Sequence, residues 1–149
     1  TFFMGAENAQ RYPELLQRVR EEGHSIGNHT YHHLRGCKTT KQTYMQDIAI
    51  AKQVLQTSLF RPPHGRMTCS QKKALREAGY QIYLWDVLTH DYNPKYTPEK
   101  MLRIVQRFTR NGSIIVLHDS LKSKDRMLQA LPQIIKWLQA EGYTFQTLK

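Results

Sequence analysis

Two histidines, His29 and His33, stand four residues apart in Asn28-His29-Thr30-Tyr31-His32-His33, directly after a short segment that reads as buried. On a helix face or in a loop, that spacing lets both imidazoles converge on one metal ion. Hydrogen-bonded or solvated loop histidines meet the same spacing, and His32 between them reads as exposed or structural. A distant third histidine, His118, ends the apolar run Ile114-Ile115-Val116-Leu117. Partial burial at a strand tip suits an imidazole to general-acid work.

Two further constellations carry chemistry. In Arg61-Pro62-Pro63-His64-Gly65 the prolines stiffen the backbone and Gly65 permits a tight turn, which makes the His64 backbone N–H a candidate oxyanion donor. Unaided, these residues favour an ordinary stiff loop with Arg61 paired to a structural carboxylate. Trp85-Asp86-Val87-Leu88-Thr89-His90-Asp91-Tyr92 sets carboxylates and rings just past a strand, where sites in wound α/β folds collect.

The elements that must position these residues alternate. Thr1–Met4 reads as a buried strand, and a helix from Pro13 stops at Gly23. A second helix covers Thr43–Leu55, and Ser70 is the expected N-cap of a third that ends at Gly79. Gln81–Trp85 follows as a strand. Thr97-Pro98 starts a helix that runs to about Arg110. Ser113–Leu117 reads as a strand, Leu128 to Leu138 as the stripe of a last helix, and Tyr143–Thr147 as a closing strand. Repeated helix, glycine, short apolar strand and polar tip predict a parallel sheet wrapped by helices. No repeat or linker divides the chain, so residues 1–149 are expected to form one domain.

With 149 residues, 40% hydrophobic and 23% charged, the composition is that of a soluble globular protein. No apolar stretch approaches the roughly 20 residues of a membrane-spanning helix. The net charge of +10 is spread along the chain, which argues for solvated helix faces and against a nucleic-acid-binding arm. Attraction to an anionic cell-wall polymer is a compatible secondary use. Cys37 and Cys69 form no CxxC pair, and they leave the compartment open. The opening Thr1-Phe2-Phe3-Met4 reads as the middle of a fold, so a fragment is expected, and the sequence itself holds no charged-then-apolar leader.

In this order the motifs resemble those of the polysaccharide deacetylases, the metal-dependent carbohydrate esterases of family 4 built on the NodB homology domain. His29-Thr30-Tyr31-His32-His33 matches the family's His-[Ser/Thr]-x-x-His, and Arg61-Pro62-Pro63-His64-Gly65 its Arg-Pro-Pro-Tyr-Gly with histidine for tyrosine. Trp85–Tyr92 is similar to the Asp/Trp motif and Val116-Leu117-His118 to Leu-x-His. The resemblance implies a distorted (β/α) barrel and hydrolysis of N-acetyl or O-acetyl groups on an N-acetylglucosamine-type polysaccharide such as peptidoglycan or chitin. It implies a divalent metal, most simply Zn2+, on His29 and His33 with an aspartate as third ligand. It makes His118 the general acid, with Asp91 or Asp86 as its partner. Arg61 would hold the catalytic base, the His64 N–H would face the oxyanion, and Trp85, Tyr92, Val116 and Leu117 would wall the acetyl pocket. A cell-envelope or secreted location goes with that function.

The family's Thr-Phe-Asp-Asp-Gly motif, source of the base and the third ligand, has no counterpart, and no Asp-Asp pair occurs in the sequence. The resemblance therefore implies a barrel lacking its first strand, weak metal binding and little activity for this chain alone. The other reading is a catalytically inactive carbohydrate-binding domain. Leu88 stands where many members carry an aspartate, and Tyr92 where tryptophan is usual.

Overall fold

The computed structural model describes residues 1–149, which divide into two compact units, Thr1–Leu84 with Thr147–Lys149 and Trp85–Gln146. In the first unit the order is β1 (Phe2–Met4), α1 (Ala6–Arg11), α2 (Pro13–Glu21), β2 (Ile26–Asn28), α3 (Lys41–Leu55), β3 (Leu59–Phe60), α4 (Cys69–Glu77) and β4 (Gln81–Ile82). The four strands form one parallel sheet in the order β1-β2-β3-β4. All three residues of β2 are buried, as expected of a central strand in a parallel sheet covered by helices. Gly27 is needed there because the Phe3 ring lies across it, and a Cβ would come within 2.3 Å of that ring.

Helix α3 serves two cores. Ala51 and Leu55 join Ala6, Ala9, Leu16 and Ile26, while Tyr44 and Ile48 pack with Phe60, Leu75 and Tyr80. The loop between β2 and α3 leaves a buried strand end and enters α3 through an exposed first turn, capped by the Thr40 hydroxyl accepting from Thr43 N.

The second unit holds β5 (Val87–Leu88), α5 (Pro98–Phe108), β6 (Ile115–Val116) and α6 (Lys124–Ala140). Strands β5 and β6 pair in parallel with Val87 opposite Ile115. Val87, Met101, Val105, Ala130, Ile134 and Leu138 form the core.

Several expectations need correction. Tyr143–Thr147 forms no strand, because no partner strand pairs with it. Thr68, not Ser70, caps α4: its hydroxyl accepts from Gln71 N while the Gln71 side chain accepts from Thr68 N, a reciprocal capping box. The segment before Pro13 is helical as well, with Tyr12 between α1 and α2. The strands expected at 81–85 and 113–117 are two residues each.

Candidate active-site residues

In the first unit, β2 delivers His29 at its C-terminal end. The His29 Nδ1–H donates to the Arg61 carbonyl oxygen at 2.7 Å. A carbonyl only accepts, so the tautomer is fixed and Nε2 is the nitrogen with the ligating lone pair. The His33 ring centroid lies 5.0 Å from that of His29, and the His64 centroid 5.0 Å from that of His33. Arg35 Nε donates to His64 Nε2 at 3.2 Å, which engages the lone pair that would make His64 a third ligand. His64 and Gly65 both have positive φ, at 58° and 68°, so the turn after the two prolines is left-handed over two residues.

Arg61 acts in two directions. Its carbonyl orients His29, while its guanidinium lies 4.0 Å from the Phe3 ring centroid and donates to the carbonyls of Tyr83 and Leu84 at 3.3 Å each. Burial pushes its pKa down to about 10, which leaves it charged at neutral pH.

The donors fit a divalent ion such as zinc in chemistry, as two imidazoles, one with its tautomer set by a carbonyl. They fit it as part of a ligand set, because nowhere in the chain do three or more His, Cys, Asp or Glu side chains come together to hold a metal.

In the second unit, Asp91 is fully buried and gives both oxygens to His118. Oδ1 is 2.7 Å from His118 Nδ1, and Oδ2 accepts from the His118 backbone N–H at 2.5 Å. Tyr92 N also donates to Oδ1 at 3.1 Å. The Arg126 guanidinium donates to the Asp91 carbonyl at 2.9 Å. Asp86 points elsewhere: it accepts from Ser113 Oγ and Ile114 N. The partner of His118 is therefore Asp91. With Nδ1 on the carboxylate, Nε2 is the nitrogen that can exchange a proton with a ligand. The Tyr92 ring stands edge-on to His118 at 5.1 Å. Trp85 and Leu117 are half-buried, and Val116 is buried with its carbonyl accepting from Thr89 Oγ1 at 2.9 Å. A concavity of about 800 Å3 along α5, lined by Lys95, Tyr96, Lys100, Arg103, Arg107 and Phe108 among others, includes none of these residues.

The polysaccharide deacetylase family profile matches residues 1–83, more than half of the chain. A peptidoglycan-N-acetylglucosamine deacetylase of Bacillus cereus is 35% identical over 99% of this chain and 72% of its own length. The chain belongs to the polysaccharide deacetylase family. A peptidoglycan-N-acetylmuramic acid deacetylase of Bacillus subtilis, PdaA, is 30% identical over 99% of this chain and 59% of its own length. Among solved structures, the Bc1960 peptidoglycan N-acetylglucosamine deacetylase superposes with a TM-score of 0.93 at 30% identity, over 99% of this chain and 72% of that one. The α/β fold with parallel sheets is thus that of the family.

Sequence reasoning missed Asp47, Asn28 and Arg126. Asp47 left a signal: it lies three residues after Tyr44 and four before Ala51, on the buried stripe of α3, where a charge needs partners.

Proposed function

We propose that this chain carries the metal-holding and acid-bearing residues of a hydrolase that removes N-acetyl groups from N-acetylglucosamine-type units of peptidoglycan or a similar polysaccharide. The observation that carries the reading is the pair of oriented histidines: His29 held on the Arg61 carbonyl beside His33, and His118 held on buried Asp91. Family membership and the two peptidoglycan deacetylase relatives support the substrate class.

When bound to His29 and His33, a divalent ion such as zinc supplies Lewis-acid polarisation of the amide carbonyl. Asp91 accepts from His118 Nδ1–H and holds the ring in place, and the doubly protonated imidazolium gives its Nε2 proton to the leaving amine and returns to the neutral ring. The His64 backbone N–H serves a developing oxyanion, the Gly65 N–H being given to the Pro62 carbonyl at 2.9 Å. Arg61 orients His29 through its carbonyl. Trp85, Tyr92, Leu117 and Val116 receive the acetyl methyl group. No residue of the chain takes the part of the Asp-Asp pair, so turnover by the chain alone is expected at background.

Acetate release from N-acetylglucosamine oligomers tests this, using the chain joined ahead of Thr1 to a strand bearing Thr-Phe-Asp-Asp-Gly. Zinc-dependent release that disappears on His118→Ala is expected. A folded, zinc-loaded fusion that releases no acetate contradicts the reading. The incomplete ligand set favours a second reading, an inactive saccharide-binding domain, which predicts oligosaccharide binding unchanged by chelator and by His29→Ala.

A further inference from the structure

We infer that Asp47 on α3 is the positioning residue for the histidine loop, and that it acts with His32 as a clamp which sets how His29 and His33 face a metal. The inference rests on the metal role proposed for those two histidines. Asp47 is 5% exposed, and its carboxylate takes three bonds from the loop. Oδ2 accepts from the backbone N–H of Tyr31 at 2.7 Å and of His32 at 3.2 Å, and Oδ1 lies 2.5 Å from His32 Nδ1.

The residue is costly where it stands. Aspartate is a poor former of helix interiors, and a carboxylate taken out of water is unfavourable unless hydrogen-bonded. Both costs are offset by donors that come from the loop and not from α3 itself. The loop needs such support, because Thr30 and His33 have φ of 67° and 56°, a region that costs non-glycine residues of order 1 kcal/mol or more each. Asn28 secures the other end of the same segment: its amide donates to the Ile48 carbonyl at 3.0 Å and its oxygen accepts from Thr30 N at 2.8 Å. Thr30 Oγ1 accepts from Leu34 N at 3.0 Å. Adjacent residues of α3, Asp47 and Ile48, therefore hold the segment on both sides of Thr30. His32, which lies between the two candidate ligands with its side chain 57% exposed, acquires a role as the outer jaw of the clamp.

Zinc titration of the 149-residue chain, with amide hydrogen exchange as an independent readout, tests the inference. Asp47→Asn should weaken zinc binding about tenfold or more, the range found when partners that orient metal ligands are removed. It should also raise exchange at Tyr31 and His32 while α5 and α6 stay protected. Should Asp47→Asn not fold, His32→Ala removes only the exposed jaw, and is expected to weaken binding by a few-fold with the far-UV spectrum unchanged. Folded variants that bind zinc like the parent, while His29→Ala abolishes binding, would overturn the clamp and leave the metal reading standing. No His29-dependent binding in the parent chain would overturn both.

Discussion

Both carboxylate oxygens of Asp91 face His118, and this arrangement has consequences for stability as well as for chemistry. Asp91→Ala removes the acceptor of three part-buried donors, the backbone N–H groups of His118 and Tyr92 and the His118 ring. It should cost about 3 kcal/mol in urea unfolding; a loss near zero would show that water replaces the carboxylate. Asp86 makes the contrasting case. Burial works against its charged form, but the Ser113 hydroxyl, the Ile114 N–H and the Arg110 guanidinium outweigh this and hold its carboxyl below the usual range. A depressed carboxylate pKa stabilises the fold above the unfolded value, near 4, and that contribution is lost as pH falls through the folded value. Asp86→Asn should therefore destabilise the chain at neutral pH, with the difference from the parent shrinking below about pH 4. A pH-independent difference would contradict the assignment. The sequence spacing left Asp86 and Asp91 equal as partners of His118. The choice depends on the parallel register of β5 and β6, Val87 against Ile115, and a register between distant strands is not written in local spacing.

At the level of elements, what was legible followed from local chemistry. Thr97-Pro98 starts α5, with the Thr97 hydroxyl accepting from Lys100 N. Two residues before the expected cap, Thr68 does the same for α4, and Thr68→Ala should cost about 1 kcal/mol in chemical unfolding. What was not legible depended on distant partners. Tyr143–Thr147 has strand composition but no strand beside it, and β4 and β6 stop after two residues for want of longer pairing. The buried face of α3 supplies a further prediction. The Tyr44 hydroxyl is buried with no hydrogen-bond partner, so Tyr44→Phe should be neutral or stabilise by up to about 1 kcal/mol. A loss of that size instead would mean the hydroxyl is satisfied in solution.

For the whole molecule, the net charge of +10 opposes compaction through self-repulsion. Added salt should raise Tm, because charges more than about 10 Å apart are screened at 0.1 M; a flat Tm against salt would mean local ion pairs dominate. The fold and the family were readable because the motifs keep their order over a long stretch of the chain, from the His29–His33 segment to Val116-Leu117-His118. The loop support was not, since Asp47 and Asn28 act through backbone groups that no motif names. The decisive measurement is a calorimetric zinc titration of the chain and its single-histidine variants. One site is predicted, weakened at least tenfold by His29→Ala and by His33→Ala and left unchanged by His118→Ala. Zinc binding that survives loss of both His29 and His33, or no binding at all, would contradict the assignment of this pair as the metal-holding residues.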